Sequence, residues 1–310
     1  MTTRAPLQEG QRFAGCIVAR ELGRGEQSIV HAAYDERAQA WRALKLLLPS
    51  DDGDAARRAA ARKRLLQELT VAGQLQHPGI VRVYDCGETR DMAWLTMELL
   101  PGTDLTRYTS SVRRLPVPVV AAIGARIADA LACAHASGVV HRDLKPANVM
   151  IDWASDRVVL TDFGLARADD AERTRTGLVL GSPGFMAPEL LAGQAPTAAS
   201  DLYALGVLLF QLLAGRLPFE APGLGALLRE VATAPVPPLA PLVPPPQDDT
   251  LPALEAIVTR LLAKRPGDRL GDATMVAASL RALLPAATSA APAGVGDHTA
   301  AGPKSHGLRD

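Results

Sequence analysis

Cysteine is scarce. Three residues in 310, at positions 16, 86 and 133, form no Cys-x-x-Cys pair and leave an odd one out. Such a set does not staple a secreted domain and fits a reducing compartment, so the chain reads as cytoplasmic. An excess of charge of either sign is also missing, because 33 Lys and Arg face 33 Asp and Glu for a net charge of +0. No global field therefore draws the chain to nucleic acid or to an anionic membrane. Long hydrophobic runs are lacking too. The best apolar stretch, Tyr203 to Ala214, contains Gln211 and falls short of the about 20 residues that a bilayer requires. Met1 to Gln11 is polar and mixed, without the basic–apolar–small order of a signal peptide, and reads as an N-terminal extension. No membrane or nucleic-acid partner is expected. What remains is a globular composition, 48% hydrophobic and 21% charged, long enough for one large domain or two lobes with separate cores.

The chemistry concentrates between His141 and Asn148, in the order His-Arg-Asp-Leu-Lys-Pro-Ala-Asn. Apolar Val139-Val140 precedes this polar segment and Val149-Met150-Ile151 follows it, the pattern of a loop held between buried flanks. It contains what phosphoryl transfer to a hydroxyl needs. Asp143 can accept the hydroxyl proton, Lys145 can neutralise charge on the transferred group, and Asn148 offers an amide oxygen to a metal ion. A second carboxylate, Asp162, ends the apolar run Val158-Val159-Leu160 shortly afterwards.

Upstream, Phe13 to Leu22 and Ile29 to Tyr34 have strand character and are joined by Gly23-Arg24-Gly25-Glu26-Gln27-Ser28. The two glycines are either turn residues that tolerate positive φ or part of a loop whose backbone N–H groups approach a phosphate. A Rossmann reading fails, because a second strand and not a helix follows them. Trp41 to Leu48 is a third strand, and its apolar run Ala43 to Leu47 carries one ionisable residue, Lys45. That lysine either guards a sheet edge or points at a partner anion. Ala55 to Leu75 has helical spacing and contains Glu68. Gln76 to Val81 turns into a fourth strand, Met92 to Leu99 is a fifth, and Pro101-Gly102 then marks a change of domain. Helices are expected over Val117 to Ser137, Ser200 to Leu213, Leu251 to Leu262 and Ala273 to Leu284, with Asp201 set to complement a helix dipole. Pro235 to Pro246 is a proline-dense loop. Beyond Pro285 the chain lacks periodicity and reads as a disordered tail, 286–310.

Taken in order, these segments closely resemble the catalytic domain of eukaryotic-like (Hanks-type) bacterial serine/threonine protein kinases. His141 to Asn148 matches the catalytic loop, Asp162-Phe163-Gly164 the metal-binding motif, and Ala187-Pro188-Glu189 the end of the activation segment. Two departures are minor: Ser28 replaces the third glycine of the glycine-rich loop, and Ser182 stands where the family usually has Thr. The implied fold is α+β and bilobal. A small β-rich lobe, about 12–99 with one regulatory helix, sits on a larger helical lobe, about 103–285, in a kinase domain over 12–285.

The resemblance also assigns roles. ATP would lie beneath the glycine loop, against Leu22, Gly23, Gly25 and Ser28. Its adenine would lie between Val30 and Ala43 above and Met150 below, beside the gatekeeper Met97 and the hinge residues Glu98 and Leu100. Lys45, fixed by Glu68, would hold the α- and β-phosphates. Asn148 and Asp162 would bind Mg²⁺, with Mn²⁺ as the other candidate. Asp201 would grip the catalytic loop, and Glu189 would pair with Arg269. Arg142 beside Asp143 implies control by phosphorylation at Thr174 or Thr176, with a kinase-domain dimer for reaction in trans. Lys145 two residues after Asp143 points to Ser/Thr acceptors on protein substrates. A pseudokinase scaffold is disfavoured, since each chemical role is filled. A small-molecule phosphotransferase of the aminoglycoside-kinase type would lack the activation segment.

Overall fold

Six strands lie in the first hundred residues: β1 (Arg12–Phe13), β2 (Cys16–Arg24), β3 (Ser28–Asp35), β4 (Ala40–Leu47), β5 (Val83–Glu88) and β6 (Ala93–Glu98). The structure, a computed structural model, describes residues 7–25, 28–47, 73–89, 92–163, 183–243 and 250–285. The helix expected over Ala55 to Leu75 lies almost wholly outside the described residues, as do Gly164, Ser182 and the tail 286–310. The six strands form one antiparallel sheet in the order β1-β2-β3-β4-β6-β5.

β4 is central, with Lys45 opposite Val30 on one side and Leu95 on the other. A gatekeeper belongs on an edge strand, so that reading of Lys45 is excluded. Alternation decides its direction. Leu44 and Leu46 pack with Cys16, Val18 and Ala33 on one face. Ala43 packs with Met97, Leu95, Val81 and Val159 on the other. Lys45 is two residues from Ala43 and therefore shares that second face.

The second lobe holds a three-stranded sheet, ordered β7 (Thr103–Asp104), β8 (Val149–Asp152) and β9 (Arg157–Leu160). Its helices are α1 (Val117–Ala136), α2 (Pro188–Leu191), α3 (Ala198–Ala214), α4 (Leu224–Thr233), α5 (Thr250–Leu261) and α6 (Ala273–Arg281). α1 is the hub, packed against α3 and α6. A Cβ on Gly124 would come within 2.8 Å of Leu209 Cδ2 and 3.1 Å of Leu280 Cδ1, so that glycine permits the close approach of three helices. α1 also corrects the sequence reading of apolar runs. At 20 residues and mean hydropathy 1.7 it is long and apolar enough to cross a membrane, more so than Tyr203 to Ala214. Its apolar surface is instead matched by α3 and α6, and Ile127, Ala128, Leu131 and Ala134 are fully buried. α4 has no counterpart in the sequence reading. A ten-residue amphipathic helix between Gly223 and the Pro-rich 235–243 is too short for its periodicity to stand out.

A buried ion pair locks the lower lobe. Arg269 donates to Glu189 through Nη1–Oε1 (2.6 Å) and Nη2–Oε2 (2.7 Å) and also to the carbonyls of Ala199 (2.8 Å) and Ala263 (3.0 Å). Both side chains are almost wholly buried. Removing one partner strands a charge, so Arg269→Met is expected to cost about 3–5 kcal/mol in urea denaturation. Glu189→Leu combined with Arg269→Met should recover part of it. A single-variant loss below about 1 kcal/mol would mean that the pair is solvated rather than buried.

Candidate active site

α1 ends at Ala136, and the chain then turns into the polar loop whose backbone is held from below by one carboxylate. Asp201, in the first turn of α3, accepts from His141 N (2.8 Å) and His135 Nε2 (2.8 Å) on Oδ2, and from Arg142 N (3.0 Å) on Oδ1. Charge-assisted bonds of this kind contribute about 1.5–3 kcal/mol each. They flank Arg142, which sits at φ +71, a left-handed conformation that a non-glycine residue keeps only where its surroundings enforce it. Asp201 thus fills both its helix-dipole role and its loop-gripping role.

His141 is fully buried, and its Nε2 lies 2.9 Å from Thr161 O. A carbonyl only accepts, so Nε2 carries the proton and Nδ1 faces the N–H of Asp143 at 3.4 Å. The imidazole packs on Phe163 with ring centroids 4.5 Å apart. His141 is therefore a structural link between the catalytic loop and the segment carrying Asp162.

Three predicted residues meet at Asp143. Its Oδ2 accepts from Lys145 Nζ (2.8 Å) and Asn148 Nδ2 (3.0 Å), and its carbonyl accepts from the same Asn148 Nδ2 (2.7 Å). The amide nitrogen of Asn148 is committed to Asp143, which leaves Oδ1 as the atom able to bind a cation. The β8–β9 hairpin then brings Asn148 near Asp162. Val149 pairs with Leu160, and one step outward Thr161 N donates to Asn148 O (2.9 Å). Asp162 follows at φ +66, and its Oδ1 lies 2.6 Å from Lys45 Nζ. Asp162 is the anion on which the structure places Lys45. Glu68, the partner expected for Lys45, lies outside the described residues, as do Thr174 and Thr176.

The donor set fits a magnesium-type ion. Among the described residues no group of three or more His, Cys, Asp or Glu could hold a metal. Mg²⁺ is typically bound by one or two protein oxygens with the rest from phosphates and water. A carboxylate on Asp162 and an amide oxygen on Asn148 answer that description.

Above the carboxylates lies an apolar slot. Ala43, Met97 and Val159 pack together with Val30, Leu99 and Leu100 around them, and Ala43 is the cross-strand partner of Met97. Met150 joins Leu100 and Val159 around a small cavity. The glycine loop is shorter than expected, because β2 continues through Gly23 to Arg24, and Gly25 N bonds Ser28 O at 2.8 Å. Neither Gly23 nor Gly25 has positive φ. Backbone conformation therefore does not require glycine at either position, and a Cβ at Gly23 would meet nothing within 4 Å. Leu22 lies at a bulge in β2 and is 38% exposed, outside the apolar cluster.

Sequence reasoning missed two parts of this site. Val159 completes the slot from the lower lobe. Glu98, a hinge residue by resemblance, is clamped by Arg157 (Nη1–Oε1 2.7 Å), and its carboxylate raises the Arg157 pKa. No local signal marks a pair 59 residues apart. Gly102, in the sequence a mark of punctuation, sits at φ +94, where a Cβ would run into Ile151 O. The hinge therefore presses directly on β8.

Comparison with known proteins agrees with this arrangement. The Protein kinase domain family model matches residues 17–280. The chain is 41% identical over 249 residues to the serine/threonine-protein kinase PkaB of Streptomyces coelicolor, covering 78% of this chain and 58% of that one. It is 37% identical over 286 residues to the serine/threonine-protein kinase PknJ of Mycobacterium tuberculosis, covering 90% and 47%. The chain thus spans about half the length of the curated relatives it matches. Among solved structures, a point mutant of the PknI kinase domain of Mycobacterium tuberculosis is similar with TM-score 0.70 and 31% identity, covering 90% of this chain and 99% of that one. A family model spanning most of the chain, carried on a bilobal fold with the catalytic loop assembled, establishes that this chain belongs to the protein kinase family.

Proposed function

We propose that the chain is a serine/threonine protein kinase that transfers the γ-phosphoryl group of ATP, with Mg²⁺ as its metal, to hydroxyls of protein substrates. The observation that carries this reading is the Asp143–Lys145–Asn148 cluster, with Lys145 Nζ at 2.8 Å and Asn148 Nδ2 at 3.0 Å from one oxygen of Asp143. Mg²⁺–ATP, when bound, brings the transferable phosphoryl group and neutralises its charge. The protein residues position and stabilise. Asp143 orients the acceptor hydroxyl and takes its proton through the carboxylate. Lys145, already beside that carboxylate, stabilises the charge of the transferred group. Lys45 would bind phosphate oxygens, and Asp162 and Asn148 Oδ1 would hold the metal. The slot of Val30, Ala43, Met97, Leu100 and Met150 takes the adenine, the glycine loop over 23–28 covers the phosphates, and Glu98 belongs to the hinge.

The same reading takes residues 12–285 as the catalytic domain, with lobes divided near 99–103, and 286–310 as a tail. The three free cysteines suit a reducing cytoplasm. Incubating the purified chain with γ-labelled ATP and Mg²⁺, then mapping phosphosites, tests the proposal. Phosphoserine or phosphothreonine on added protein is the expected product. Nucleotide binding with no transfer would make the chain a pseudokinase and overturn the reading.

Regulation is expected to run through Thr174 and Thr176, flanked by Arg173 and Arg175. A phosphothreonine adds about −1.5 to −2 charges and forms one to three charge-assisted bonds. At roughly 1.5–3 kcal/mol per bond, one contact to Arg142 would shift the active population about 10- to 100-fold. Phosphosite mapping should find one or both threonines modified by a second copy of the chain, and Thr174→Ala/Thr176→Ala should lose activity on that scale. Arg142→Ala should cost far less in the double-alanine background than in the phosphorylated protein. Equal costs in both backgrounds would remove Arg142 from the switch.

A further inference from the structure

Beside the hinge at Gly102 lies a cavity of about 650 Å³ that the phosphoryl-transfer machinery does not use. Its walls come from Gly102 and β7, the 3₁₀ turn Leu105–Tyr108, the segment before α1, and the end of β8. Three arginines line it: Arg107, Arg113 and Arg114. Arg114 bonds only carbonyls, those of Ser111 and Leu242. Arg107 and Arg113 are exposed, and among the described residues neither pairs with a carboxylate. The one acid in the lining, Asp152, is engaged by Ala154 N (3.1 Å) and Ser155 Oγ (2.5 Å). Among the described residues, therefore, no carboxylate is paired with the arginines of the cavity.

The cavity also has an apolar wall. Trp153 is 49% exposed, stands edge-on to Tyr108 with centroids 5.9 Å apart, and donates from Nε1 to Tyr108 Oη at 2.8 Å. That hydrogen bond fixes the indole while leaving half of it in solvent. Val112, on the same segment as the arginines, is 89% exposed. A rigid aromatic surface beside unpaired guanidinium groups recognises carboxylates carried next to an apolar side chain. The size suits a few side chains.

We propose that this cavity is a docking site for an acidic segment of a protein substrate, Asp- or Glu-rich with an aliphatic or aromatic anchor. Only the word substrate rests on the kinase reading; the docking itself does not. Charge complementarity selects the occupant. The chain as a whole has net charge +0, so no global field favours a polynucleotide, whereas three cations in one concavity match a short acidic peptide. Position supports a role in substrate selection. β8 runs from Val149, next to Asn148, to Asp152 in the cavity wall. A docked segment would thus be anchored one strand from the catalytic loop, raising the local concentration of an acceptor tethered to it.

The test uses the full chain and a fluorescent ten-residue peptide of Asp and Glu with one central Leu, against a control with Lys at the acidic positions. Anisotropy should show binding of the acidic peptide only, weakening as salt is raised. Arg107→Glu/Arg113→Glu should weaken it at least tenfold, and Trp153→Ala should weaken it without changing the salt dependence. A short acceptor peptide lacking the acidic segment should be phosphorylated equally by wild type and the double variant, and adding the segment should lower KM for wild type alone. Equal binding by wild type and the arginine variant, or by acidic and basic peptides, would overturn the assignment. So would arginine-dependent binding of a single-stranded oligonucleotide in preference to the peptide. Arginine-dependent peptide binding by a chain that transfers no phosphate would sustain the docking site and refute the kinase reading.

Discussion

Lys45→Met is expected to lower kcat by roughly 10²–10³-fold or more while leaving the fold intact. The side chain is only 7% exposed and lies on the central strand of the upper sheet, so its position is set by backbone pairing on both sides. Methionine has nearly the same length and prefers the apolar surroundings of Ala43 and Met97. The loss is of charge. Asp162 keeps partial solvent access, with a side chain 24% exposed, so losing its ammonium partner should cost no more than about 1–2 kcal/mol of stability. Lys45→Arg should not restore turnover, because a planar fork cannot occupy the volume of a compact ammonium between β4 and Asp162. Steady-state kinetics with a melting curve separates the effects. Activity within tenfold of wild type at an unchanged Tm would place the phosphate contact on another residue.

Asp162→Asn should be equally severe and differ in kind. The substitution keeps the shape and the contact to Lys45 but removes a formal charge from the oxygen pair assigned to the metal. A fall in kcat of about 10³-fold corresponds to about 4 kcal/mol of lost transition-state stabilisation. The discriminating readout is binding rather than rate. Nucleotide affinity should depend on Mg²⁺ in wild type and become nearly independent of it in the variant, while metal-free nucleotide affinity changes little. A variant whose Mg²⁺ titration matches wild type would take Asp162 out of the metal site. The same titration on Asn148→Ala would be harder to read, because Asn148 Nδ2 also holds the carbonyl and carboxylate of Asp143.

The contrast between these residues shows how far a sequence reaches. The polar loop between apolar flanks, the lone lysine in an apolar strand and the carboxylate ending a valine-rich strand are signals confined to a few neighbouring residues. They mark Asp143, Lys145, Asn148, Lys45 and Asp162 as candidates without any coordinates. Strand and helix positions follow from periods of 2 and 3.6, which are properties of the backbone alone. β3, β4, β6, α1, α3 and α5 lie where that periodicity puts them, to within a few residues. Order along the chain carries the family and the bilobal fold, and the family pattern anticipates the Glu189–Arg269 pair.

Packing decided the rest. The burial of α1, which the same hydropathy would allow in a bilayer, depends on α3 and α6 closing over it. The clamp of Arg157 on Glu98, the three bonds from Asp201 to the region of the catalytic loop, and the placing of Lys45 on Asp162 all join residues about 60 or more positions apart. The arginine-lined cavity beside Trp153 likewise gathers residues from four segments. Periodicity and motif spacing describe what one segment prefers. Which side chains meet across segments is set by the relative placement of whole elements, and that placement is a property of the assembled core alone.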